Sequence, residues 1–141
     1  MYTIKEVSKI MDVSEHTLRF WAKSGLFPSI TRDKNNIRQF DEKDLEWVKI
    51  VKCLRKIGTD NKSIKRYIDL CLIGDSTIQE RYKIIMDTKK KALQQMKELQ
   101  NQLDILDYKQ KFYENLITNN LEDPWNPINN VSQEKEKLTA G

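Results

Sequence analysis

Val-Ser-Glu-His-Thr-Leu-Arg-Phe-Trp, residues 13–21, is the stretch on which the reading of this chain turns. Ser14 is an N-cap type whose side-chain oxygen can accept from the free amides of a first helical turn. Leu18 and Trp21 then fall three apart on one face, while Glu15, His16, Arg19 and Lys23 point elsewhere. Such a helix buries one side and shows polar and basic groups at its N-terminal end. That shape suits insertion into the major groove of a duplex.

Working outward, Thr3-Ile-Lys-Glu6 forms a capping box for an earlier helix with Ile4, Val7 and Ile10 at helical spacing. Met11-Asp12-Val13 breaks that pattern, and Asp12 tolerates the left-handed backbone a tight turn requires. Two short helices joined this closely make a helix-turn-helix. Gly25 closes the second helix and Pro28 prevents its continuation.

Ile30, Ile37 and Phe40 are strand formers around the polar turn Asp33-Lys34-Asn35-Asn36. The reading is a two-stranded hairpin carrying Arg32, Lys34 and Arg38, a basic wing beside the helix-turn-helix. An ordinary solvated hairpin is the alternative. Asp41 to Asp44 cap a third helix running to about Lys56, which Gly58 ends. Asp60 caps a fourth, from Asn61 to about Leu72, which Gly74 stops. Leu45, Val48, Ile50, Leu54 and Ile57 on one, and Ile64, Tyr67, Ile68 and Cys71 on the other, make a helical hairpin able to cover the helix-turn-helix.

Overlapping capping boxes, Ser76 with Gln79 and Thr77 with Glu80, start a fifth helix. Along it Ile78, Tyr82, Ile85, Ala92, Met96, Leu99, Leu103, Leu106, Tyr113 and Ile117 keep alternating steps of four and three, with Lys89 and Gln110 as polar interruptions. This is a coiled-coil seam. A helix of roughly 40 residues reaches about 60 Å at 1.5 Å per residue, more than a small N-terminal module can cover. Pairing with a second copy, parallel or antiparallel, is the expected solution, and Lys89 and Gln110 would set its register. After Asn119 the pattern gives way to a polar tail whose Trp125 packs on the coiled coil or on the partner subunit, or faces solvent. The expected fold is mainly α, with a winged helix-turn-helix DNA-binding domain and helical hairpin over 1–74. A coiled-coil dimerisation helix over 75–119 and a largely irregular tail over 120–141 complete it.

Composition fits this. Charged residues make up 33% of the chain against 38% hydrophobic, and 4 Gly with 3 Pro leave little for a turn-rich β fold. The net charge of +4 is concentrated in residues 1–73, where 15 basic side chains face 10 acidic ones. A polyanionic partner on that half follows. No apolar run nears the ~18–20 residues needed to span a bilayer, and the N-terminus lacks a signal-peptide h-region. A cytoplasmic protein without a membrane partner is expected. Neither an activated nucleophile nor paired carboxylates in an apolar cleft can be assembled, so an enzyme is not expected.

The order of these parts resembles the MerR family of bacterial transcription regulators, over about residues 2–118. The pieces that carry the resemblance are Tyr2 to Val7, Val13-Ser14, Thr17 to Trp21, Gly25-Leu26, Asn35 with Arg38 and Phe40, Asp44-Leu45, and Leu54 followed by Gly58. Phe20-Trp21 stand where the family usually has two tyrosines, and Asn36-Ile37 where it has glycine and tyrosine. The resemblance implies a homodimer on a palindromic promoter site, bending and untwisting the spacer for RNA polymerase, which is readout through DNA deformation. It assigns His16 and Thr17 to base edges, Arg19 to base or phosphate, and Arg38 with Lys34 to the backbone. Ser14, Phe20, Trp21 and Lys23 on the helix, and Arg32 and Asn36 on the wing, complete the candidate DNA contacts.

Metal-sensing members use cysteines at the end of the dimer helix. This chain has no cysteine beyond Cys71, and its one histidine lies in the reading helix, so neither metal nor cofactor is expected. The surroundings of Cys53, with Gly74 to Thr77 and Leu106 to Lys109, look like the AdhR/NmlR subgroup, which responds to aldehydes or thiol stress. Lys49, Lys52, Arg55 and Lys56 near Cys53 favour a reactive thiolate. The alternative is inert core, since Cys53 shares a stripe with Ile50 and Ile57. Cys71 lies ~10 Å further along its helix than the height of Cys53, beyond the ~7 Å limit between Cα atoms for a disulfide. Alkylation, or a mixed or intersubunit disulfide, is the expected chemistry. A second class, a DNA-architectural or excisionase-like winged protein without an effector, needs the module but not the seam.

Overall fold

The computed structural model describes residues 1–128. Five α-helices and one short hairpin follow in order: α1 (Ile4–Met11), α2 (Glu15–Lys23), β1 (Thr31–Arg32), β2 (Arg38–Gln39), α3 (Glu42–Ile57), α4 (Asn61–Ile73) and α5 (Ile78–Asn119). They fall into two compact units that divide within α5, between Gln95 and Met96.

In the first unit the caps form as their residues dictate. Thr3 and Glu6 exchange side-chain and backbone bonds at the start of α1, and Asp41 with Asp44 do the same for α3. Asp12 ends α1 at φ 52°, ψ 52°. This left-handed corner turns the chain into Ser14, the N-cap of α2. Gly58 closes α3 at φ +104°, where a side chain would be strained whatever the space.

Val7, Leu18, Trp21, Leu26, Phe27, Phe40, Val48, Val51, Leu54, Ile64 and Ile68 make one core. Phe27 meets Trp21 edge-on at 6.4 Å and Phe40 edge-on at 6.0 Å. This aromatic chain ties α2 to the far end of the hairpin. The helical hairpin packs with a small shift from the expected faces. Val51 and Leu70 are buried, whereas Leu45, Ile50, Ile57, Tyr67 and Cys71 are only partly covered.

The wing differs from expectation in two ways. Its strands are two residues each, in the register Thr31 to Gln39 and Arg32 to Arg38, and Ile37 is exposed. The pairing is extended instead from outside, because Tyr2 bridges Phe40 through both backbone bonds. The start of α5 also differs. Thr77 does not cap it; its hydroxyl turns back to the Leu70 and Gly74 carbonyls within a short 3-10 turn. Glu80, the expected partner, pairs with Arg66 of α4.

Within the second unit α5 continues to Asn119, and Trp125 folds against it with the Lys109 ammonium 2.7 Å from its ring centroid. Leu121 is anchored by its amide to the Leu116 carbonyl. Of the tail expected over 120–141, residues 129–141 lie outside the described residues. No buried residue occurs on α5. On the expected seam, Ile78, Tyr82, Met96, Leu99, Leu103, Leu106, Tyr113 and Ile117 are exposed, and Ile85 and Ala92 are half-covered.

Candidate nucleic-acid interface

Two elements of the first unit build the interface. On α2 the Ser14 hydroxyl oxygen accepts the Thr17 amide at 3.1 Å and donates to the Thr17 hydroxyl at 2.8 Å. The cap fixes the helix start and leaves His16 exposed just behind it. Leu18 and Trp21 turn inward, at 0% and 6% exposure. His16, Arg19, Phe20 and Lys23 turn outward and line one cleft of about 450 Å³ with Arg38 of the wing.

On the wing, Asp33 organises the turn. Its Oδ1 accepts from the amides of Asn35 and Ile37, at 2.8 and 3.0 Å. Asn36 takes the left-handed conformation at φ 62°, and its carbonyl accepts from the Arg32 guanidinium at 2.8 Å. Lys34 stands exposed at the tip. Burial lowers the pKa of Arg38 below the usual guanidinium value, and the charges of Arg32 and Arg19 push the same way. Arg19 and Arg38 line the one cleft and Arg32 pairs with Arg38 across the strands; of these three, only Arg19 has an ion pair among the described residues, with Glu15 at 3.4 Å. An anion placed there would relieve the repulsion.

The neighbouring aromatics divide. Phe20 is 53% exposed on the cleft, whereas the bulk of Trp21 belongs to the core. Trp21 offers only an edge to the surface, and its ring fixes α2 to Phe27. That edge, with His16, Thr17 and Phe20, lines a second hollow closed by Arg55 of α3. Along the sequence Arg55 reads only as a neighbour of Cys53. Two residues along a helix differ by about 200°, so the wheel already sends Arg55 to the opposite side.

Cys53 is exposed rather than packed in the core of the first unit. It lines a shallow pocket with Glu46, Lys49 and Ile50. Its cationic surroundings are thinner than the sequence suggests. Lys52 is committed to the Met11 carbonyl at 2.7 Å, and Arg55 reaches the Thr59 carbonyl. Cys71 is half-buried beside Tyr67, whose phenol is held above its usual pKa by burial first and by the Cys71 thiol second. Both cysteines are free. Among the described residues no helix is long and apolar enough to cross a membrane, and no group of three or more His, Cys, Asp or Glu is arranged to hold a metal.

A helix-turn-helix with a hairpin wing and a cationic cleft between them defines a winged-helix DNA-binding regulator. Residues 2–71 match the MerR HTH family regulatory protein. An uncharacterized HTH-type transcriptional regulator of Haemophilus influenzae is 39% identical over 113 residues, covering 80% of this chain and 84% of that one. The HTH-type transcriptional regulator AdhR of Bacillus subtilis is 31% identical over 91 residues, 64% of this chain and 65% of AdhR. Among solved structures, HiNmlR, a MerR family regulator lacking the sensor domain and bound to promoter DNA, superimposes with a TM-score of 0.76. It is 37% identical, over 85% of this chain and 95% of that one. The chain belongs to the MerR family of transcription regulators. Its relatives are regulators rather than enzymes, and the presence of AdhR and HiNmlR among them agrees with the AdhR/NmlR subgroup.

Proposed function

We propose that this protein is a homodimeric cytoplasmic regulator that binds a palindromic promoter site and distorts its spacer so that RNA polymerase can engage both promoter elements. The observation that carries the reading is the cleft in which His16, Arg19, Phe20 and Lys23 meet Arg38. The N-terminal face of α2 supplies groove contacts through His16, Thr17 and Arg19. Arg32, Lys34, Asn36 and Arg38 hold the adjacent phosphates, and Arg55 joins the same face from α3. Reading by deformation explains why a wing is needed beside the helix: phosphate contacts on both sides of a groove hold the bent duplex. The exposed α5 seam supplies the second copy and hence the half-site spacing.

Footprinting and fluorescence anisotropy on promoter DNA test this. Arg19→Ala is expected to weaken binding by ~1–3 kcal/mol; unchanged affinity at physiological salt would remove Arg19 from the interface. Spacer protection without open-complex formation would instead favour an architectural winged protein.

A sensing role for Cys53 has its own support, the exposure of the thiol beside Lys49. An exposed thiol near a cation is open to alkylation by aldehydes or to a mixed disulfide. Aldehyde induction of a promoter reporter is expected to disappear in Cys53→Ala while DNA affinity stays. Induction surviving unchanged would sink the sensing role and leave the DNA-binding one standing.

A further inference from the structure

Asp44 is 1% exposed in the core of the first unit. It is the third residue of α3, where a capping box needs only one carboxylate oxygen, and such a group is ordinarily solvated, as Glu6 is on α1. Both Asp44 oxygens are committed, to opposite ends of one segment. Oδ1 accepts from the Ser29 hydroxyl at 3.0 Å, at the leading end of the wing. Oδ2 accepts from the Asp41 amide at 2.9 Å, at its trailing end. Everything between Ser29 and Asp41 is the wing.

We propose that Asp44 is a positioning residue for DNA recognition: its buried carboxylate clamps both stems of the wing and so sets where Arg32, Lys34 and Arg38 stand relative to α2. This rests on the DNA-binding reading above and assigns a role to a residue that cannot itself reach DNA. A carboxylate is costly to bury unless donors meet it, and here the donors are the two stem ends. Strands of two residues each are too short to hold the stem alone. On the trailing side Phe40 is also held by Tyr2; on the leading side Ser29 has the Asp44 tie. Arg38 lies three residues from the clamp and Arg32 three residues from the other end, so a displaced stem moves the cations directly.

The test is a double-mutant cycle in the full chain, read as promoter-DNA affinity against salt and accompanied by thermal melts. Asp44→Asn, which presents an amide to one of the two donors, is expected to weaken binding about tenfold at temperatures where it is fully folded. The slope of log affinity against log salt is expected to fall by ~0.9 for each phosphate that the wing no longer neutralises. When Arg32, Lys34 and Arg38 are all alanine, Asp44→Asn is expected to change affinity less than about twofold, since there is no cationic wing left to misplace. Ser29→Ala removes only the leading tie and is expected to give the same pattern more weakly, with Ser29→Thr restoring it. This pair carries the test if Asp44→Asn fails to fold. An equal loss in both backgrounds, or an unchanged salt slope, overturns the clamp while leaving DNA binding intact. Should the triple wing variant bind as the natural chain does, the wing takes no part in binding and the clamp falls, while DNA binding through α2 stands.

Discussion

Asp12 decides the angle at which the reading helix is presented. Its left-handed backbone, φ 52° and ψ 52°, is one that a branched side chain adopts only at a cost of ~1–2 kcal/mol. Asp12→Val is therefore expected to lower unfolding free energy by that amount, and Asp12→Gly is expected not to lower it; urea denaturation measures both. A lower midpoint for the glycine variant would mean that the Asp12 side chain, and not its backbone, holds the corner. The same scale separates Phe20 from Trp21. A step of one residue turns the helix by about 100°, enough to send one ring to the cleft and its neighbour to Phe27. Together they show why a family departure at adjacent positions has unequal consequences. Replacing a buried ring alters packing, whereas replacing an exposed one alters what the surface presents to a phosphate.

Among elements, α5 is the most legible in the sequence and its beginning the least. Its four-and-three spacing survives as an uninterrupted helix from Ile78 to Asn119, because helical periodicity sustained over heptads has few competitors. The cap motif at its start does not form: the Thr77 hydroxyl donates to the Leu70 and Gly74 carbonyls, and its oxygen accepts from Arg81 instead of from a first-turn amide. Local motifs lose to tertiary partners wherever a sharp corner brings both within reach. The exposed seam has a direct consequence. Leu99→Asp with Leu103→Asp is expected to convert the proposed dimer to monomer. Burial worth about 1.5–3 kcal/mol per leucine corresponds to a loss of at least roughly 100-fold in association. Sedimentation velocity reads the mass, and an unchanged dimer would remove these leucines from the seam. The wing lies between these cases: its turn is readable from Asp33 to Asn36, but its short strands and its pairing with Tyr2 are not, since nothing local marks a bridge spanning 38 residues.

For the whole molecule, sequence reasoning reaches the architecture and the outward face of α2, both of which depend on near neighbours along the chain. It misses Arg55 at the second hollow, the commitment of Lys52 to Met11, and the double duty of Asp44. Each of these is a contact between elements, where the deciding partner is remote. The Tyr2–Phe40 bridge has a practical side. With its amide and carbonyl paired to Phe40, and its hydroxyl on Glu42, Tyr2 fastens the chain ahead of α1 to the trailing end of the wing. An affinity tag or reporter protein joined directly ahead of Tyr2 is held at the trailing end of the wing, beside the face proposed to meet DNA, and is expected to compete with the duplex for room. The same fusion partner joined on the carboxyl side of α5 starts far along the sequence from the wing, and assays of promoter binding are better made with it there.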